Sequence, residues 1–171
     1  MKLFYLSIIT ALVVFTGNSF AEEKVSLSGL HLCCGKCVKG VNGAVDKVDG
    51  ATATFDKDAG TGVVTATDKA TAQKAIDALA AAGFHAKVEG SSVAFADDSG
   101  AKGKTKSLTV SEVHNCCGSC AKGLTKAINT VEGAKIENLE KKATSFTVSG
   151  NFDAKKLVKA LNDAGYHVKV K

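Results

Sequence analysis

The chain of 171 residues contains no proline, no tryptophan and no arginine, and only 6% of its residues are aromatic. All 22 basic residues are therefore lysines, spread along a chain whose formal net charge is +5. Nucleic-acid-binding proteins use arginine guanidinium groups for bidentate hydrogen bonds to phosphates and aromatic rings for stacking on bases. This chain has no arginine and few aromatic rings, so its composition argues against nucleic-acid binding. The lack of proline also removes the cis-proline that faces the active site in thioredoxin-like folds.

All six cysteines fall in two copies of one motif, H-x-C-C-G-x-C, at residues 31–37 and 114–120. Each copy offers three thiols within five residues, and a histidine stands two positions before the first thiol. This ligand set suits copper(I), zinc or mercury far better than magnesium or calcium. The motif therefore predicts a duplicated soft-metal or thiol-redox site. The candidate ligands are His31, Cys33, Cys34 and Cys37 in the first copy and His114, Cys116, Cys117 and Cys120 in the second.

The N-terminal segment is typical of a secretory signal peptide. Lys2 precedes an apolar run at residues 3–15 that is too short to span a bilayer, and small residues precede a cleavage point after Ala21. No later segment approaches membrane-spanning length. We therefore expect a secreted, periplasmic mature protein that has no membrane span.

The mature sequence repeats internally with an offset of 82 to 83 residues. The repeat includes the motif and an A-G-aromatic-H segment at residues 82–85 and 164–167. Between the copies, residues 91–105 are small and polar, which is typical of a flexible linker. The predicted organisation is a signal peptide at 1–21, a first domain at 22–90, a linker at 91–105 and a second domain at 106–171.

Within each copy, strand-like and helix-like periodicity alternate in the same order. A segment of alternating hydrophobicity leads into each motif, and apolar residues spaced by three and four follow it. Two short strands, a second helix and a last strand complete each copy. The predicted fold class is α+β, with two tandem βαββαβ domains of the ferredoxin-like type. Gly50 and Gly133 are expected to end the first helix of each copy.

Each copy resembles a heavy-metal-associated domain, the module of copper chaperones, of copper-transporting ATPase tails and of the periplasmic mercury-binding protein. The resemblance rests on a CxxC between first strand and first helix, on domain length and on the Gly-aromatic pairs at residues 83–84 and 165–166. It implies that each CxxC binds one soft ion beside that aromatic and passes it between partner proteins. His85 and His167, which alternate with the aromatics, are expected on the surface.

The sequence departs from the family pattern in two ways. The slot two residues before the first CxxC cysteine, usually Met, holds Leu32 in one copy and Asn115 in the other. A buried apolar anchor is therefore not expected there, unless Leu30 and Val113 replace it. The additional first cysteine and the histidine of each motif give four candidate ligands where the family uses two.

Elementary chemistry supports the CxxC cysteines independently of the family. Cys37 and Cys120 are predicted in the first turn of a helix, where free backbone N–H groups and the helix dipole favour the thiolate. We therefore expect Cys34 with Cys37, and likewise Cys117 with Cys120, as first ligands. The side chains of the adjacent Cys33 and Cys34 should diverge, so Cys33, its counterpart Cys116 and the two motif histidines are additional candidates.

Three other classes compete with metal binding. A disulfide framework would close only very small loops, which would constrain the unfolded chain little. A thiol-disulfide redox protein is the main alternative, because C-G-x-C has suitable spacing, although each copy is too short for a thioredoxin fold. A catalytic zinc site would need an open position and a nearby acidic base, and neither motif has an acidic residue beside it.

The sequence thus predicts a metal-binding protein that is not an enzyme and that sequesters a soft ion or transfers it by thiolate exchange. Copper(I) is the first choice, with zinc or mercury(II) as alternatives, and the partner would be a metal-donor or metal-acceptor protein. The two motifs could act as separate sites joined by a linker, or could bridge one ion between domains. Both arrangements are compatible with the sequence.

Overall fold

The computed structural model describes residues 22–137 and 139–171, so the predicted signal peptide lies outside the described residues. The described elements follow the predicted order, βαββαβ twice. Those of the first domain are β1 Glu23–Ser28, α1 Gly35–Val45, β2 Ala51–Asp56, β3 Thr61–Ala66, α2 Lys69–Ala81 and β4 Lys87–Glu89. Those of the second are β5 Lys104–Ser111, α3 Gly118–Asn129, β6 Ala134–Lys135, β7 Ser145–Asp153, α4 Ala154–Asp163 and β8 Lys169–Val170.

Each domain contains one four-stranded antiparallel sheet, with strand order β2-β3-β1-β4 in the first and β6-β7-β5-β8 in the second. In β1, Leu27 lies opposite Gly62 of β3 and Val88 of β4, so the strand that leads into the motif is central. Two sheets and four helices in this arrangement are consistent with two ferredoxin-like domains. The predicted α+β class is confirmed.

Each core lies between one sheet and its two helices. Val25 and Leu27 alternate inward from β1, and Val41 and Val45 of α1, spaced by four, belong to the same buried cluster. The second domain repeats this pattern, with the buried residues Val110, Leu124, Ile128, Leu157 and Leu161. Each core is therefore small, as expected for domains near the lower size limit for independent folding.

The first helix of each domain ends earlier than its glycine predicts. The helix α1 ends at Val45 and α3 ends at Asn129, several residues before Gly50 and Gly133. Both glycines have positive φ, +82° and +80°, so their backbones are in the left-handed region. They lie in the turns that lead into β2 and β6, and the prediction that they end the helices is wrong.

Residues 91–103 of the predicted linker form neither helix nor strand, and its last two residues, 104–105, already belong to β5. Its first part lies on the first domain, where the Gln73 side chain hydrogen-bonds both backbone groups of Ala94, at 2.7 and 3.1 Å. Its last part lies on the second domain, where the Val170 N–H donates to the Ser99 carbonyl oxygen at 2.8 Å. The flexibility expected of this segment stays a prediction.

Among the described residues, no helix is long and apolar enough to cross a membrane.

Candidate metal centre

The loops that carry the two motifs face each other, so all six cysteine sulfurs form one group, here called the sulfur cluster. Neighbouring sulfurs in the cluster lie 3.4 to 3.8 Å apart. At its centre, the Sγ atoms of Cys37 and Cys120 are 3.8 Å apart, although the residues belong to different domains. The structure thus brings together the thiols of both motifs.

The CxxC cysteines occupy the helix starts that the sequence predicts. Cys34 and Cys117 are the N-cap residues of α1 and α3 and are half-buried. Cys37 and Cys120 lie in the first turns, and both are fully buried. One cysteine of each CxxC is therefore accessible from solvent, while the other lies inside the cluster.

The helix start controls the acidity of Cys34. Hydrogen bonding from the backbone N–H of Cys37, reinforced by that of Lys36, lowers the pKa of the Cys34 thiol to about 6. By contrast, burial raises the pKa of Cys33 and raises the pKa of Cys116 to about 12. At neutral pH, Cys34 is therefore a thiolate, whereas the first cysteine of each motif keeps its proton until an ion displaces it.

The two central thiols ionise one after the other. A hydrogen bond from Cys37 lowers the pKa of Cys120, and the same contact raises the pKa of Cys37. Two like charges 3.8 Å apart are unfavourable in a buried place, so a positive ion is needed before both thiols lose their protons. The buried centre of the cluster is therefore suited to a cation.

The additional first cysteine of each motif reaches the opposite domain. Cys33 Sγ lies 3.5 Å from Cys117 Sγ and 3.4 Å from Cys120 Sγ. Cys116 Sγ lies 3.6 Å from the sulfurs of both Cys34 and Cys37. Across the domain contact, the two neighbouring cysteines of each motif have different partners, although both also lie within 3.8 Å of the same buried cysteine of their own motif. These cysteines therefore connect the two CxxC pairs.

The motif histidines also cross between the domains. The His31 ring stacks on Tyr166 at a centroid distance of 4.6 Å, and the His114 ring stacks on Phe84 at 4.1 Å. The Nε2 atoms of both histidines are buried and have no hydrogen-bond partner among the described residues. One ring nitrogen of His31 can share an ion with Cys33 and Cys120. One ring nitrogen of His114 can share an ion with Cys37, Cys116 and Cys120.

Two helix glycines allow this stacking. A Cβ on Gly123 would meet the hydroxyl of Tyr166 and the ring of His31, and a Cβ on Gly40 would lie 3.0 Å from Phe84 and 3.3 Å from His114. Each glycine thus lets an aromatic ring and the histidine of the opposite domain approach the helix axis. Tyr166 uses that approach to donate a hydrogen bond to the Cys120 carbonyl oxygen at 3.1 Å.

The residues in the usual Met position behave differently in the two copies. Leu32 is buried, so the expectation that this slot would lack an apolar anchor is wrong for the first copy. Asn115 is also buried, and its Nδ2 donates to the carbonyl oxygens of Glu140 and Ala143, at 2.8 and 3.0 Å. In the second copy, an amide side chain therefore anchors the motif loop.

His85 and His167 lie at a contact between the domains, and the prediction that both are surface residues is wrong. His167 is 4% exposed, His85 is half-buried, and their Nδ1 atoms are 3.4 Å apart. The backbone N–H of His85 donates to the Gly165 carbonyl oxygen at 3.1 Å, and the backbone N–H of His167 donates to the Gly83 carbonyl oxygen at 3.2 Å. The recurrence of A-G-aromatic-H in both copies is the only sequence signal for this bridge.

We predict that the domain contact weakens as pH falls from about 6.5 to about 4. Burial, reinforced by His167, lowers the pKa of His85 from 6.5 to about 4, against an opposing effect of Asp163. Because separated domains take up a proton near pH 6.5 and the contacting form does not, the contact is stable above that pH and loses stability below it. Small-angle scattering between pH 7 and 4 should show the chain extending. His85→Phe should reduce this change, and burial of His114, which lowers its pKa at the stack on Phe84, accounts for the remainder. A radius of gyration that stays the same between pH 7 and 4 in the unsubstituted protein would contradict the prediction.

Comparisons with known proteins add little to this geometry. No family model matches the chain, and no characterised protein matches its sequence. Solved structures do match, among them the solution structure of the N-terminal soluble domains of Bacillus subtilis CopA. That match has 17% identity, covers 89% of this chain and 95% of that one, and has a TM-score of 0.33. Such a TM-score is too low to equate the two structures.

Proposed function

We propose that this protein is a secreted, periplasmic, non-catalytic protein that binds a soft metal ion, copper(I) first and zinc or mercury(II) second. The observation that carries this proposal is the sulfur cluster, in which six thiols from two motifs converge. In the described residues, the groups able to hold an ion consist of cysteine and histidine, without a carboxylate. Thiolate-rich sites select copper(I) and zinc over hard cations.

The accessibility of the thiols supports transfer as well as storage. Cys34 and Cys117 are half-buried at the helix starts, whereas Cys37 and Cys120 are buried. We propose that an incoming thiolate of a donor or acceptor protein first replaces the accessible cysteine, and that the buried cysteine is released last. The negative charge of this shared intermediate is stabilised by the N-termini of α1 and α3.

A titration of the reduced mature chain tests this function. With a coloured copper(I) chelator as competitor, we expect tight copper(I) binding that is lost when all six cysteines are replaced by serine. Zinc and mercury(II) titrations rank the alternatives, and magnesium serves as the hard-ion control. Failure of the reduced protein to take copper(I), zinc or mercury(II) from weak chelators would overturn the proposal.

One observation favours a redox function as the second candidate. The Cys34 and Cys37 sulfurs are 3.8 Å apart, and the accessible Cys34 has the lowered pKa that an attacking thiolate needs. In that case, the Cys34 thiolate would attack a disulfide of a substrate protein, and Cys37 would then release the reduced substrate and leave a Cys34–Cys37 disulfide. Rapid reduction of a model disulfide, together with the absence of soft-metal binding, would favour this function.

A further inference from the structure

The sulfur cluster contains four triangles of sulfur atoms. In each triangle, all three edges measure 3.4 to 3.8 Å. The triangles are Cys33/Cys37/Cys120, Cys37/Cys116/Cys120, Cys34/Cys37/Cys116 and Cys33/Cys117/Cys120. Every triangle includes sulfurs from both domains. The sulfurs of one motif alone, Cys33, Cys34 and Cys37, are more widely spaced, although all three lie within 4.8 Å of one another.

We propose that the six thiolates form a single polynuclear copper(I) site shared by the two domains, and not one site per motif. The proposal rests on the soft-metal function above and specifies how that function is built. An ion with metal–sulfur bonds of about 2.3 Å needs three surrounding sulfurs about 4 Å apart. The triangle edges of 3.4 to 3.8 Å are somewhat shorter than that spacing, so each triangle can hold a three-coordinate ion after its sulfurs move apart slightly.

The central pair explains why the ions would bind together. Cys37 and Cys120 each belong to three of the four triangles, so their sulfurs must bridge neighbouring ions. Each ion that binds removes a proton from a bridging thiol and creates a ligand for the next ion. With one ion per motif, Cys33 and Cys116 would keep their protons and stay unused as ligands, because burial raises the pKa of both thiols. Several monovalent ions can replace these protons one for one, so that every sulfur of the cluster becomes a ligand.

The cluster depends on contacts that do not involve sulfur. His31 on Tyr166, His114 on Phe84 and the paired histidines His85 and His167 all join the two domains. The last pair lies outside the motifs, so it can be changed without removing a thiol. This separation allows the shared site and the individual motifs to be tested independently.

The test is a copper(I) titration of the full mature chain, followed by native mass spectrometry under reducing conditions. We expect more ions than motifs, taken up together, so that apo and fully loaded forms coexist with little of the intermediate forms. Replacing Cys37 with serine should remove more than half of the bound copper, because three of the four triangles lose a corner. One ion per motif, bound stepwise, with loss of only one ion in the Cys37→Ser variant, would overturn the shared site.

A variant at the contact between the two domains provides a second test of the shared site. The double change of His85→Asp and His167→Asp places carboxylates against each other and against Asp98, which now accepts from His167 at 3.0 Å. With all six thiols retained, this variant should take up copper stepwise and in smaller amount, whereas the matched change of both histidines to Phe should keep joint uptake. Circular dichroism confirms that the domains fold. Unchanged joint uptake in the Asp variant would contradict the proposal, and the absence of copper binding by the original chain would instead refute the metal function.

Discussion

Tyr166→Ala is expected to lower the free energy of unfolding by about 3 to 5 kcal/mol, the range for removing a large aromatic from a core. Tyr166 is 1% exposed and is among the largest fully buried side chains. Its ring packs on His31, and its hydroxyl donates to the Cys120 carbonyl oxygen. The loss is a large part of the stability of a small domain. Urea unfolding of the reduced, metal-free chain measures it.

The internal repeat supplies the control for this prediction. Tyr166→Phe removes only the hydroxyl and its hydrogen bond, and Phe84 already fills the matching position in the first domain without a hydroxyl. We therefore expect Tyr166→Phe to cost about 1 kcal/mol. Equal losses for Ala and Phe would show that the hydrogen bond to Cys120, and not the packing of the ring, stabilises this part of the structure.

Tyr166 also shows how much of the fold is predictable from sequence. Its place after a glycine and before the last strand follows from the repeat, and the alternation of Val25 and Leu27 predicts a strand with one buried face. Such local periodicities are set within one domain, by which face of a strand or helix avoids water. For this reason the order βαββαβ is predictable in both copies.

The partner of Tyr166 could not be predicted in the same way. The resemblance places this aromatic beside its own motif, where its hydroxyl does bond to Cys120, but it does not predict that the ring stacks on His31 of the other domain. A contact between domains depends on the shapes of two finished surfaces, and neither periodicity nor motif spacing specifies these. The same reason explains the wrong surface assignment of His167, because a segment that is exposed in one domain alone can be covered by its neighbour.

The candidate site was predictable as a set of ligands but not as an assembly. The positions of Cys34 and Cys37 at a helix start follow from the motif and the periodicity after it, and divergence of Cys33 from Cys34 follows from an extended backbone. The direction in which Cys33 reaches depends on the second domain, whose Cys117 and Cys120 lie 3.5 and 3.4 Å away. The choice between separate and bridged sites therefore depends on tertiary contacts, and the convergence of sulfurs from both domains supports the bridging proposed above.

Copper(I) loading is expected to raise the free energy of unfolding by about 4 kcal/mol when free copper is about 1,000 times the dissociation constant. Because the sulfur cluster joins α1 to α3, bound ions would link the two domains directly. The loaded protein should therefore unfold in one transition, whereas the metal-free protein can lose its domains separately at lower temperature. Differential scanning calorimetry of reduced samples with and without copper(I) measures both effects.

The control for this prediction removes the ion without changing the chain. A strong copper(I) chelator should return the unfolding transition to its metal-free position, and Cys37→Ser should reduce the stabilisation because it removes a central ligand. Two transitions in the loaded protein, one shifted and one not, would indicate that only one domain holds copper. That result would contradict a shared site while keeping metal binding intact, since a cluster built from both domains must stabilise both or neither.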